Sequence, residues 1–411
     1  MRSERVLKSA LLPALLAVTG GAFGNGLTPQ EALGKAIFFD KNLSINGNQS
    51  CAACHAPEVG WTGPDAALNA MGSVYEGSIP GRFGDRKPPS SAYATPSPIL
   101  HFVIQKKKDP PLFIGGNFWD GRATGERLGS PAAEQAQGPF LNPLEQALPA
   151  PTDVVSRICT SSYNALFTEV CGADACELTD VSAAYDCVGF AVAAYEGSPE
   201  SNQFSSKYDA YLAGVVKLTK LEKQGLNLFR GKGKCEACHE LEPGPNGEPP
   251  LLTDFTFDNL GIPRNPDNPF YLQAAFNPLG YAWVDQGLGG FLASRVDYAA
   301  YADANRGKQK VPTLRNVDKR PYPELVKAYG HNGYFKSLEQ IVHFYNTRDV
   351  KPACADNFTR VEEALAQGCW PQAEVPVNVN TAELGDLKLT AAQEAAIVAF
   401  MKTLSDGYLV P

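Results

Sequence analysis

Cys51-Ala-Ala-Cys54-His55 and Cys235-Glu-Ala-Cys238-His239 are the two stretches that decide the fold. Two cysteines three apart on a helical turn reach the two vinyl groups of one haem, and the adjacent histidine is then aimed at the iron as its proximal ligand. A redox Cys-x-x-Cys pair needs no histidine beside it, and a zinc site wants a second Cys or His pair close by. Two complete motifs in one chain therefore predict two covalently attached c-type haems.

Working outward, each motif follows a helical pattern and a short Gly-containing turn, so the chain reads as two loosely similar units. Thr28-Pro-Gln-Glu31 has the form of a capping box opening a helix through 38, and a second helix over 219–229 is stopped by Gly231 and Gly233 just before the second motif. The Ala-rich runs 181–195 and 389–404 carry no proline and predict helices. Pro- and Gly-rich stretches at 76–98, 241–250, 261–280 and 371–380 predict loops. The expected fold is mainly α, with two cytochrome c-like haem domains packed against each other and long loops between helices. Their expected limits are 25–203 and 204–411, with the junction near 197–206.

Composition narrows the setting. Arg2, Arg5 and Lys8 precede an apolar run over 10–18 and small residues at 20–24, the layout of a signal peptide over 1–24. That run is short of the ~20 apolar residues a membrane helix needs, and no later stretch approaches it, so a soluble periplasmic protein without membrane insertion is expected. Removing Arg2, Glu4, Arg5 and Lys8 moves the formal charge from −8 to −10, which argues against nucleic acid as a partner. Of ten cysteines, six lie outside the haem motifs, and an even remainder in an exported chain favours disulfides. Proximity pairs Cys354 with Cys369; Cys159, Cys171, Cys176 and Cys187 leave three pairings open, with free buried thiols as the alternative.

The second axial position of each iron separates chemistry from electron transfer, because an open face binds substrate and a filled one does not. With His55 and His239 used, the remaining candidates are His101, His331, His343, Met71, Met401 and the tyrosines. A helix opening at Ser337 puts Leu338, Ile341, Val342 and Tyr345 on one face at helical spacing. His343 points to the opposite side, at about 100° per residue. If that apolar face covers a haem, Tyr345 is the ligand; the alternative is an ordinary core tyrosine.

Read together, these residues resemble the bacterial dihaem cytochrome c peroxidase superfamily, and within it the MauG-type branch. The resemblance spans nearly the whole mature chain. Its carriers are Leu43-Ser44 through the first haem motif with Pro57 and Gly60, Phe118-Trp119-Asp120-Gly121-Arg122, Gln135-Ala-Gln-Gly138-Pro139, and Glu145. The second half adds Pro312-Thr-Leu-Arg-Asn316, His331-Asn-Gly333 and the Ser337 helix.

The resemblance implies that Glu145 and Gln135 stand above the first haem. There a carboxylate moves a proton from the inner to the outer oxygen of bound hydrogen peroxide. It implies that Trp119 lies between the haems as an electron relay. Fourteen residues after the His-Asn-Gly histidine the peroxidases carry a methionine ligand, and this chain has Tyr345 there, as the MauG-type proteins do. A thioether raises haem potential, whereas a phenolate favours oxidised iron. Where the peroxidases place a displaceable distal histidine, this chain has Met71, which implies a first haem open without prior reduction. His101 is read as a core or loop histidine, with the alternative that it swings in as that ligand.

Two departures from the pattern stand out. An asparagine that helps hold an inter-haem calcium in the family is replaced in Arg86-Lys87-Pro88-Pro89 by Lys87, whose ammonium cannot ligate calcium, so that ion is absent or differently held. Extra residues also lie between Trp119 and Gln135. The expected activity is that of a haem peroxidase-type oxidoreductase which forms a high-valent dihaem state with peroxide and oxidises a side chain of a partner protein. Its rivals are peroxide reduction fed by a small cytochrome or copper protein, and a non-catalytic dihaem electron carrier.

Overall fold

Four helices start with the same device: Thr28, Ser206, Thr219 and Thr390 accept the backbone N–H of the N3 residue, whose side chain returns a bond to the cap. The computed structural model describes residues 26–104, 111–244 and 247–410; the expected signal peptide over 1–24 lies outside them. In the first half the helices are α1 Pro29–Phe39, α2 Ala66–Ala70, α3 Pro131–Leu141, α4 Pro151–Cys159, α5 Asn164–Cys171 and α6 Val181–Gly197. The second half has α7 Lys207–Leu212, α8 Lys220–Arg230, α9 Gly287–Ala293, α10 Leu338–Thr347, α11 Val361–Gln367 and α12 Ala391–Met401. The described strands form two small antiparallel pairs, β1 His101–Val103 with β2 Leu112–Ile114 and β3 Phe257–Asp258 with β4 Gln309–Lys310, and short 3-10 turns lie between the helices.

The helix expected over 389–404 is shorter. Thr390 takes the cap, and the last turn tightens into a 3-10 turn over Lys402–Leu404.

Two large hydrophobic cores stand out among the four clusters of the described residues. The first joins Leu33, Ile37, Phe140, Val154, Val188 and Tyr195; the second joins Leu226, Phe229, Phe335, Phe344, Ile397 and Phe400. Each is organised by one close helix crossing. At Gly34 of α1 an added methyl would run into the Ala191 carbonyl of α6, and at Gly225 of α8 it would run into the Ala396 carbonyl of α12. A helical glycine costs about 1 kcal/mol relative to alanine, and here it permits backbone contact. The helix ahead of each Cys-x-x-Cys-His motif is thus clamped to the closing helix of its own half.

Disulfides join Cys159 to Cys176, Cys171 to Cys187 and Cys354 to Cys369, closing spans of 17, 16 and 15 residues. On the chain-entropy estimate each is worth about 3 kcal/mol. No helix among the described residues is long and apolar enough to cross a membrane.

Candidate haem centres

Both motifs fold into the same single 3-10 turn, Cys51–Ala53 and Cys235–Ala237. The histidine N–H returns to the first cysteine's carbonyl at 2.9 Å in each case. His55 Nδ1 lies 3.2 Å from the Trp61 carbonyl and His239 Nδ1 2.9 Å from that of Leu252. A ring nitrogen that donates there leaves Nε2 with its lone pair, the arrangement an iron ligand needs. Burial pushes both imidazoles down to about 4, so both stay neutral.

The four motif cysteines take no part in a disulfide, while the other six are all disulfide-bonded. Burial pushes Cys54 and Cys235 up to about 12. These residues fit two thioether-bound haems.

The second cavity holds Cys235, Cys238 and His239 against one face of α10, formed by Leu338, Ile341, Val342 and Tyr345. Met401 of α12 lines the same cavity. Burial pushes the Tyr345 phenol above its ordinary range. His343 faces away, its Nδ1 3.1 Å from Glu394 Oε1. His331 also lines the second cavity, with Nε2 3.3 Å from Glu374 Oε2.

The first cavity has two adjoining lobes that share His55, Trp119, Gln135 and Glu196. Gln135 projects from α3, and Glu145 follows from the turn after it, where Asn142 Nδ2 donates to Glu145 Oε1 at 2.8 Å. Burial raises the Glu145 carboxyl and pushes that of Glu196 up to about 8. The residues inserted before Gln135 fold back on α3, where Glu134 collects the N–H groups of Gly125, Arg127 and Leu128 at 2.7, 2.7 and 3.0 Å.

Trp119 lines both cavities. Its indole N–H donates to the Lys87 carbonyl at 2.8 Å, and its own carbonyl accepts the Lys310 N–H of β4 at 2.8 Å. One residue from each half therefore grips it.

The buried Lys87 ammonium donates to Thr62 Oγ1 and the Pro88 carbonyl, each at 2.9 Å. It consumes the oxygens a cation would want, so these residues do not fit calcium at that position. His101 is exposed on β1, with Nδ1 2.8 Å from the Ile99 carbonyl. Met71 is half exposed at the end of α2. Neither lines the cavities described. For Glu196 the sequence offers only a weak signal, a carboxylate near the end of an Ala-rich helix that also carries Asp186. Lys310 and Tyr93, which line the cavities too, carried none.

Fold and site together define a c-type haem protein with two attachment sites and a tryptophan between them. A family model described as "Di-haem cytochrome c peroxidase" matches residues 28–217. The chain is 33% identical over 389 residues to methylamine utilization protein MauG of Paracoccus denitrificans, covering 92% of this chain and 89% of that protein. It is 29% identical to cytochrome c551 peroxidase of Nitrosomonas europaea, over 77% of this chain and 73% of that one. The solved structure of the diheme peroxidase BthA from Burkholderia thailandensis resembles it with a TM-score of 0.74 at 31% identity, covering 92% of this chain and 86% of that one. The chain belongs to the dihaem cytochrome c peroxidase and MauG family. It is a peroxidase-type oxidoreductase whose cofactors are two covalently bound haem c groups.

Proposed function

We propose that this is an exported enzyme that consumes hydrogen peroxide in the His55 cavity and delivers the oxidising equivalents, by way of Trp119 and the His239 side, to an aromatic side chain of a partner protein. Residues 25–203 and 204–411 act as two cytochrome c-like domains packed on each other. Three disulfides support an oxidising compartment, the periplasm.

When bound, the haems supply the peroxide and redox chemistry, held by Cys51, Cys54 and His55 and by Cys235, Cys238, His239 and Tyr345. Glu145 is the acid–base group, carrying a proton from the inner to the outer peroxide oxygen, and its raised pKa suits that task. Gln135 orients the same oxygens. Trp119, gripped from both halves, relays electrons between the sites. The observation that carries this reading is that α10 turns Tyr345 into the His239 cavity and His343 out of it. A phenolate there favours the oxidised metal.

Peroxide reduction fed by a small donor protein has one observation in its favour: Met401 shares the Tyr345 cavity. The test is stoichiometric peroxide added to the fully oxidised protein, followed optically. A reaction without prior reduction, giving a persistent state that Tyr345→Met shortens and Met401→Leu leaves alone, is expected. A protein that reacts only after half-reduction would overturn the proposal in favour of the donor-fed reading.

A further inference from the structure

The first cavity contains a tyrosine that neither the haem motifs nor the peroxide residues account for. Tyr93 is buried, lines the lobe that holds His55, and adopts a left-handed backbone with φ of 58°. For a bulky residue that conformation costs of order 1–3 kcal/mol and persists only where surroundings dictate it. Here Asn202 Oδ1 accepts its N–H at 2.7 Å. Its hydroxyl donates to the buried Asp406 Oδ2 at 2.7 Å and accepts the Phe204 N–H at 3.0 Å. Asn316 Nδ2 and the Ser205 N–H also donate to the Asp406 carboxylate, at 2.8 and 3.0 Å.

A phenol gives up an electron readily only when its proton leaves at the same time, because the phenol radical cation is a strong acid. A preformed bond to a carboxylate supplies the acceptor. We infer that Tyr93 is a one-electron relay for the His55 site, with Asp406 as its proton acceptor. One electron passes from Tyr93 to the peroxide-oxidised centre, which takes up one of the two equivalents that peroxide delivers. The phenolic O–H bond breaks, and its proton forms an O–H bond on Asp406 Oδ2. The oxygen left behind keeps the Phe204 N–H bond, which stabilises the neutral radical. When the electron returns from the external donor, the proton returns from Asp406. Arg315 stands over the ring, 5.0 Å from its centroid, and would resist oxidation, but its charge is neutralised by Asp209 at 2.9 Å.

The inference rests on the reading that peroxide is consumed beside His55. Its test is electron paramagnetic resonance of the holoprotein, grown with ring-deuterated tyrosine and frozen after stoichiometric peroxide. An organic radical narrowed by the deuterium is expected, absent in Tyr93→Phe and kept in Tyr163→Phe. Tyr163 also donates to a carboxylate, Asp40 at 2.6 Å, but lines none of the cavities described, so it controls for the bond alone. If Tyr93→Phe fails to take up haem, Asp406→Asn retains the phenol and should lose most of the signal. A tyrosine signal unchanged in these variants, or a peroxide reaction without one, overturns the relay only. Optical inertness to peroxide would remove the peroxide reading itself, and the relay with it.

Discussion

Trp119 and Lys87 are joined by a single hydrogen bond, the indole N–H to the Lys87 carbonyl at 2.8 Å, and that bond fixes the ring between the two haem cavities. The ring face and the N–H therefore do separate jobs. Trp119→Phe keeps an aromatic ring and loses the bond. The expected cost in stability is modest, about 0.5–1.5 kcal/mol. Both haems should attach, and the first spectral step with peroxide should keep its rate while oxidation of the partner slows. Stopped-flow spectra at both haem bands check this; equal loss in both steps would count against a relay role.

Glu145 is positioned by a short chain segment. Asn142 caps the end of α3 and donates to the carboxyl at 2.8 Å, so a glutamine in its place keeps the shape and most of the packing. Glu145→Gln should lower the rate of the peroxide step by ~10²–10⁴ while leaving haem content and thermal stability near wild type. The measurement is the second-order rate constant with peroxide. A loss under tenfold, on the scale where 1.4 kcal/mol of barrier is about tenfold, would assign the proton transfer elsewhere.

Glu196 sets a pH dependence. Burial holds its carboxyl protonated in the folded protein up to about 8, against an ordinary value of 4.5. Between those limits the folded state binds the extra proton, so unfolding free energy falls as pH rises through that window. Melting temperatures at pH 5, 6.5 and 8, chosen to span the two values, should decline in wild type and flatten in Glu196→Gln. A wild-type profile as flat as the variant's would show that the cavity does not shield this group.

The second cavity is largely legible from the sequence, because a period of 3.6 residues puts Leu338, Ile341, Val342 and Tyr345 on one wall and turns His343 away. The first is less so. Besides α3 and α6, its walls come from aperiodic loops around 76–98, where Tyr93 takes a left-handed turn and finds its partner 313 positions away at Asp406. Cysteine pairing divides the same way. Cys354 and Cys369 are isolated neighbours that bond, whereas Cys171 and Cys176, nearer still, do not bond to each other. Cys171 ends α5 beside Cys187 of α6, a proximity only the helix packing creates.

Lys87 makes the sharpest contrast with the family pattern. Its ammonium is buried and pushed down to about 8 by that burial, yet it keeps Thr62 Oγ1 and the Pro88 carbonyl at 2.9 Å. One fixed cation thus stands at the wall shared by the two cavities, tied through its own carbonyl to Trp119. Chelation should then do nothing: melting temperature and haem spectra of the wild-type holoprotein should be the same in excess EDTA and excess calcium. Lys87→Asn removes the charged donor to both oxygens, which keep their bond to each other at 2.6 Å, at a cost of about 1–3 kcal/mol. It also supplies an amide oxygen that a hard cation accepts. The variant should regain part of that loss when calcium is added, and lose it again in EDTA. A wild-type protein whose haem spectra respond to EDTA would mean that a metal ion coexists with this lysine.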